Sequence, residues 1–106
     1  MKAFAALADP TRARIVEAIA DEDLTVTQIV AMFPMTQPAI SRHLRILREA
    51  GLVVARAEGT KRRYRLDPRP LREIDDWLQR YRRLWARRLD NLERHMDMDT
   101  ESEKRP

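Results

Sequence analysis

The chain has 106 residues and no cysteine, and its 21 Lys and Arg residues against 17 Asp and Glu residues give a net charge of +4. This length suits one small domain, whose single core gives modest stability unless a second subunit adds buried surface. Without cysteine, disulfides, thiolate metal sites and thiol-based redox sensing are excluded. No apolar run approaches the roughly 20 residues that cross a bilayer, so we expect a cytoplasmic protein with no membrane partner.

The positive charge is concentrated in the centre of the chain. Between Pro34 and Leu66 the sequence has eight basic and two acidic residues, whereas the remainder is slightly acidic. Such a focused field favours nucleic acid as a partner, although a small net charge alone does not require it.

Signals of catalysis are missing from the sequence. It has only two histidines, which lie far apart, and only two glycines, too few for a Gly-rich phosphate loop. Neither a G-x-S-x-G nor an H-E-x-x-H string occurs. We therefore expect neither an enzymatic activity nor a cofactor.

The first two predicted elements are short helices. Residues 1–8 form an apolar helix in which Phe4 and Leu7 lie one turn apart and are available for packing. Asp9-Pro10 supplies an N-cap and a first-turn proline for a second helix. The acidic link at 21–23 is predicted to be a solvated turn, since three adjacent carboxylates cannot all face one metal ion.

Two helices joined by a very short turn follow. Thr25 and Gln28 form a capping-box signature for a helix that ends near Phe33. Only Pro34-Met35 separates this helix from the next, at 36–50. Helices joined so closely cannot lie antiparallel, and that geometry is typical of a helix-turn-helix, whose second helix enters the major groove of DNA.

The segment 36–50 is predicted to be the recognition helix. Thr36 is its N-cap, and Ile40, Leu44 and Leu47 recur at helical spacing and therefore face the core. The opposite face is polar and basic. The predicted DNA-contacting residues are Thr36, Gln37, Pro38, Ser41, Arg42, His43 and Arg45. An alternative for His43 is a position beside the core.

After Gly51 the sequence period changes from helical to alternating. The segment 52–66 is predicted to be a β-hairpin with its turn at Gly59-Thr60 and a basic rim. Directly after a helix-turn-helix, such a hairpin is a wing that lays basic side chains along phosphates or into a minor groove. Its predicted DNA-contacting residues are Lys61, Arg62 and Arg63.

The segment 71–96 is predicted to be one long amphipathic helix, followed by a disordered tail at 97–106. At 1.5 Å per residue the helix is ~39 Å long, which exceeds the ~30 Å breadth of a small domain. A twofold homodimer is expected to cover the overhanging apolar stripe, with the first helix as a second contributor. The predicted interface residues are Phe4, Leu7, Leu71, Ile74, Trp77, Leu78, Tyr81, Trp85, Leu89 and Leu92.

Four strings in this order, DPTR, LTVTQIV, TQPAISRHLRILREAGLV and EGTKRRYRL, resemble the ArsR/SmtB family of bacterial transcriptional regulators over nearly the whole chain. The resemblance implies a mainly α fold with a small β-hairpin, namely a winged helix-turn-helix at 1–96 with a long C-terminal dimerisation helix. It also implies a homodimeric repressor that binds double-stranded operator DNA containing an inverted repeat.

The chain departs from the metal-sensing members of that family. Soft-metal sensors place cysteines in the helix before the turn, here 24–33, and this chain has none. Zinc sensors use paired Asp/His and His/Glu ligands on the last helix, whereas this helix offers Asp75, Asp76, Glu93 and His95 without a second histidine. The resemblance is therefore to a cysteine-free branch without a metal site, and the sequence does not define an effector.

Two other interpretations remain open. In one, the winged helix is a protein–protein assembly module whose functional surface is the aromatic helix. In the other, the aromatic helix lines a small-molecule pocket of a ligand-responsive regulator. A salt titration of DNA binding tests the first, because contacts to phosphates lose affinity steeply as salt rises.

Overall fold

In this computed structural model the backbone is described for residues 1–104 and the side chains for residues 1–96. The elements are α1 (Lys2–Leu7), α2 (Pro10–Asp21), β1 (Leu24–Thr25), α3 (Val26–Met32), α4 (Gln37–Glu49), β2 (Val53–Glu58), β3 (Lys61–Leu66) and α5 (Arg69–Lys104). They form two compact units, Met1–Ile74 and the segment from Asp75 onward. The predicted class, mainly helical with a small antiparallel sheet, is confirmed.

Capping residues set the starts of α2 and α3. The carboxylate of Asp9 accepts hydrogen bonds from the backbone N–H groups of Thr11 at 2.9 Å and Arg12 at 3.1 Å. The predicted capping box is present: Thr25 Oγ1 accepts from the Gln28 N–H at 3.2 Å, and Gln28 Oε1 accepts from the Thr25 N–H at 2.8 Å. These bonds satisfy donors that a helix start otherwise leaves unpaired.

The core of the first unit is aliphatic. α2, α3, α4 and the sheet pack against one another around it. Its largest fully buried side chains are Ile15, Ile19, Ile29, Ile40, Leu44, Leu47 and Leu52. Burial of each such side chain stabilises the fold by about 1.5–3 kcal/mol, so the three from α4 hold that helix firmly on the domain.

In the first unit, the side chains that α1 buries are its alanines, whereas the predicted interface residues Phe4 and Leu7 are less buried. Ala3 and Ala6 are buried, whereas Phe4 is 38% exposed and Leu7 is half-buried. Small alanine side chains allow α1 to lie close against α2 and α4, and the helical period then turns Phe4 away from the core.

The sheet has one strand more than predicted. β1 pairs antiparallel with β3, with Leu24 opposite Tyr64 and Thr25 opposite Arg63, and β3 pairs with β2 along its whole length. The strand order is β1-β3-β2. The sequence indicated Leu24 and Thr25 only as a helix start, because a two-residue strand is too short to show alternation. This pairing attaches the hairpin to the start of α3.

α5 is longer than the predicted helix at 71–96. Its backbone is helical from Arg69 to Lys104, which includes most of the segment 97–106 that was expected to be a disordered tail. Residues 105–106 lie outside the described part of the chain. No Gly or Pro occurs between Pro70 and Pro106, so no strong helix breaker ends α5 near residue 96.

Candidate nucleic-acid interface

The outward face of α4 brings several predicted contact residues together. Ile40, Leu44 and Leu47 are buried on one side of the helix. Five predicted DNA-contacting residues are exposed on the other side, namely Gln37, Pro38, Ser41, Arg42 and Arg45. The last four of these line one shallow groove. The face therefore combines hydroxyl and guanidinium donors with the geometry of a helix that can enter a DNA groove.

Thr36 is exposed and acts as the N-cap of α4. Its Oγ1 accepts a hydrogen bond from the Ala39 N–H at 3.4 Å, as the sequence predicted. The short connection from Phe33 to Thr36 leaves α3 and α4 packed directly against each other. α3 and α4 thus form the predicted helix-turn-helix.

The other end of α4 is closed by a glycine. Gly51 has φ +77°, and its N–H donates to the Arg48 carbonyl at 3.0 Å. The Leu52 N–H donates to the Leu47 carbonyl at 3.0 Å. This pair of bonds is the Schellman motif, which needs a left-handed residue and so favours glycine. The motif ends the recognition helix, so that only residues 50–52 separate α4 from β2.

His43 does not share the outward face. The residue is half-buried, and its Nδ1 is buried without a hydrogen-bond partner among the described residues. The His43 ring is also close enough to influence Asp9, the cap of α2. The pKa of Asp9 is lowered chiefly by the hydrogen bond from the Arg12 backbone N–H, with smaller contributions from the Arg12 guanidinium, the Thr11 N–H and His43. This placement favours the alternative in which His43 flanks the core.

The wing turns through a two-residue loop. β2 ends at Glu58 and β3 begins at Lys61, and these two residues are paired in the sheet register. Gly59 has φ +62° and Thr60 does not have a positive φ. A positive φ at the first loop position alone is typical of a type II′ turn, in which glycine is preferred there. The tip of the hairpin is therefore tight.

The three predicted wing residues have different surroundings. Lys61 and Arg62 are exposed at the tip. Arg63 is partly buried, its Nε donates to the Glu58 carboxylate, and its Nη1 donates to the Asp23 carbonyl at 3.5 Å. Lys61 and Arg62 can thus reach a phosphate directly, whereas Arg63 already has partners within the chain.

Arg48 adds to the candidate surface and was not among the predicted contacts. It lines a second groove between α4 and β2, together with Arg45, Glu49 and the backbone region 53–55. The signal was available in the sequence, since Arg42, Arg45 and Arg48 follow one another at intervals of three residues. A basic strip therefore extends along α4 towards the wing strand.

The second unit exposes a strongly apolar helix. The exposed large side chains of α5 are Trp77, Tyr81, Leu84, Trp85, Leu89, Leu92 and Met96. Trp77 and Tyr81 contact each other with ring centroids 5.2 Å apart. Of the remaining predicted interface residues on α5, Leu71 and Leu78 are half-buried, whereas Ile74, the last residue of the first unit, is only 8% exposed.

The described residues contain no group of three or more His, Asp or Glu side chains arranged to hold a metal ion. Nor does any helix within that part have the length and apolar character needed to cross a membrane.

A short-turned helix pair with a basic second helix, followed at once by a basic hairpin, defines a winged helix-turn-helix DNA-binding protein. Comparison with known proteins identifies the family. Residues 9–54 match the bacterial regulatory protein family arsR. The chain belongs to this family and is a transcriptional regulator.

Three known proteins illustrate the relationship. HTH-type transcriptional regulator Rv2034 of Mycobacterium tuberculosis is 39% identical over 98 residues, which are 92% of this chain and 89% of the relative. The crystal structure of a possible transcriptional regulator for arsenical resistance has a TM-score of 0.70 at 38% identity and covers 81% of this chain and 95% of its own. The homodimeric winged helix-turn-helix DNA-binding domain of Mb0332 from Mycobacterium bovis has a TM-score of 0.63 at 29% identity. The match covers 74% of this chain and 72% of the Mb0332 chain.

Proposed function

We propose that this regulator is a homodimeric repressor that acts in the cytoplasm, binds an inverted-repeat operator and occludes the promoter. The observation that supports this most is the outward groove on α4 lined by Pro38, Ser41, Arg42 and Arg45. These side chains lie on a helix whose opposite face is locked into the core, so the helix can be presented to a major groove without rearrangement.

The two basic regions are proposed to have different roles. Arg42 is exposed and makes no hydrogen bond or ion pair with the described residues, so its planar donor fork is available for a guanine. Lys61 at the wing tip is likewise exposed and carries a compact charge suited to a phosphate. Arg42 would then select sequence, and Lys61 would add affinity for any duplex.

The aromatic stripe of α5 is proposed to join two copies of the chain. Exposed Trp85, Leu89 and Leu92 recur at intervals of three and four residues, and such a stripe is costly to leave in water. A twofold dimer uses the same stripe on both subunits. Two recognition helices then contact half-sites about one helical turn, roughly 34–36 Å, apart.

The test is selection of bound duplexes from a random pool, followed by anisotropy titrations with the selected and a scrambled duplex over a range of salt concentrations. Arg42→Ala should weaken binding to the selected duplex by about 1–3 kcal/mol and relax its sequence preference. Lys61→Ala should weaken binding to both duplexes alike. It should also lower by roughly one the slope of log affinity against log salt concentration, called the salt slope below.

Arg14→Ala is the matched control, since it removes one exposed positive charge from α2 rather than from α4 or the wing. It should leave sequence preference and salt slope nearly unchanged. If no duplex is enriched at low salt, the proposed function is wrong. If Arg42→Ala and Lys61→Ala each weaken binding to the selected and the scrambled duplex equally, the proposed division of roles is wrong.

A further inference from the structure

The outer face of the wing sheet contains an open groove that combines three arginines with two carboxylates. In the sheet register Arg56 is opposite Arg63, and Arg65 lies two residues further along β3 on the same face. Asp23 and Glu58 complete the charged lining of the groove. The guanidinium groups therefore stand close together on a surface that also carries acidic groups.

Asp23 engages the two arginines of β3 from a distant part of the sequence. Its Oδ2 accepts hydrogen bonds from Arg65 Nε and Nη2, both at 3.3 Å, and its backbone carbonyl accepts from Arg63 Nη1 at 3.5 Å. Glu58 accepts from Arg63 Nε. Two donors of Arg65 thus have a carboxylate partner, although the side chain itself is largely exposed.

We propose that Asp23 is a positioning residue that withholds Arg65, and with Glu58 also Arg63, from DNA phosphates. This inference rests on the proposed DNA-binding function. The Nε and Nη2 donors that bind Asp23 are one of the two donor pairs with which an arginine can bind a phosphate, so a phosphate that uses this pair must compete with the carboxylate. Arg62 has no partner among the described residues and meets no such competition.

Withholding these arginines limits the affinity for arbitrary DNA. Phosphate contacts supply most of non-specific binding, and each one adds about 0.9 to the slope of log affinity against log salt. A wing that used every basic residue of its sheet would bind all sequences more tightly and lower the ratio of specific to non-specific affinity. Asp23 thereby restricts the wing contact to the residues at its tip.

The direct experiment compares Asp23→Asn with Glu22→Gln in full-length protein on a scrambled duplex. Both variants remove one negative charge from the same acidic link, but Glu22 is exposed and makes no ion pair or hydrogen bond with the described residues. Asp23→Asn should steepen the salt slope by about 0.9, so the loss of affinity between 50 and 200 mM salt grows about 3.5-fold. Glu22→Gln should leave the slope unchanged.

A second pair of variants tests the proposal from the arginine side and does not depend on Asp23→Asn folding. Arg65→Gln should leave the salt slope of the wild type unchanged, because Arg65 is not in contact with DNA, whereas Arg62→Gln should lower it by about 0.9. The double variant Asp23→Asn/Arg65→Gln should not show the steeper salt slope that is expected for Asp23→Asn alone. A purely structural role for Asp23 would not produce this dependence on Arg65.

The outcomes separate this inference from the proposed function. Equal slopes for Asp23→Asn and Glu22→Gln, or a lower slope for Arg65→Gln, would overturn the role of Asp23 while DNA binding itself stands. Failure of the wild type to bind any duplex at low salt would overturn both.

Discussion

Replacement of Thr25 by Ala should destabilise the first unit because it removes a capping hydroxyl and a buried methyl group together. Thr25 is only 7% exposed, and its hydroxyl accepts the Gln28 N–H at 3.2 Å as half of the capping box. Loss of an N-cap side chain costs typically about 1 kcal/mol, with a range of roughly 0.5–2. Loss of the buried methyl group adds about 0.8 kcal/mol. The expected decrease in the free energy of unfolding is therefore about 2 kcal/mol.

Two further substitutions at the same position separate these contributions. Thr25→Ser keeps the hydroxyl and should cost only about 0.8 kcal/mol, whereas Thr25→Val keeps the buried bulk and should lose the capping contribution of about 1 kcal/mol. Thr27→Ala is the matched control on α3, because Thr27 is exposed and does not cap the helix. It should change stability by less than about 0.5 kcal/mol.

The assay is equilibrium unfolding in urea, followed by circular dichroism at one fixed protein concentration, since the stability of a dimer depends on concentration. The slope of the free energy of unfolding against urea concentration should be the same for all variants. The shift of the unfolding midpoint then reports the change in stability alone. A Thr25→Ala variant that loses no more stability than Thr27→Ala, or a Thr25→Val variant as stable as the wild type, would refute a capping role for Thr25.

Three other predictions follow from the described geometry. Gly51→Ala should cost about 1–2 kcal/mol in urea unfolding because φ is +77°, although the new Cβ meets no atom closer than 3.7 Å; equal stability would contradict the conformational argument. The pKa of Asp9 is lowered chiefly by the Arg12 backbone N–H, so its stabilising effect is complete above the ordinary value of 3.8 and is lost as the pH falls through the folded-state pKa. The stability difference between wild type and Asp9→Ala should accordingly shrink below about pH 3.8 in acid unfolding series, and a difference independent of pH would refute this. Trp85→Glu should give monomers in sedimentation velocity, whereas Gln79→Glu, which adds the same charge on the opposite side of α5, should not; a dimeric Trp85→Glu would remove the stripe from the interface.

The recognition helix was predictable because every signal that defines it is local. The cap at Thr36, the proline at 38, the apolar period through Leu44 and the glycine at 51 all lie within one stretch of 16 residues. Each acts on its immediate neighbours, so single-sequence rules apply to it directly. Its buried face and, apart from the half-buried His43, its outward face were accordingly predicted correctly.

The surroundings of Arg63 were not predictable in the same way. Alternation along β3 placed Arg63 and Arg65 on one face, and the basic composition of the hairpin suggested DNA contact for Arg63. The groups that bind these side chains include Asp23, which is 40 and 42 residues away in the sequence. Only the pairing of β1 with β3 brings them together, and a two-residue strand leaves no periodic signal.

The burial of Ala3 and Ala6 on α1 could not be predicted from side-chain size. Phe4 and Leu7 are the larger apolar side chains, and size alone favours their burial. The smaller Ala3 and Ala6 are buried instead, since α1 packs closely against its neighbours. Which of two apolar faces packs depends on the space that the rest of the fold leaves.

Three consecutive residues link the wing to the helix-turn-helix. Asp23 binds Arg65, Leu24 is paired with Tyr64 in the sheet, and Thr25 caps α3. A change at the wing tip removes a proposed phosphate contact and should leave the rest of the first unit intact. A change within this link instead alters the sheet pairing or the start of α3. Variants of 23–25 therefore require unfolding curves beside their DNA titrations, because an altered salt slope at unchanged stability reports on phosphate contacts, whereas a stability loss reports on the packing that holds α3 and the wing together.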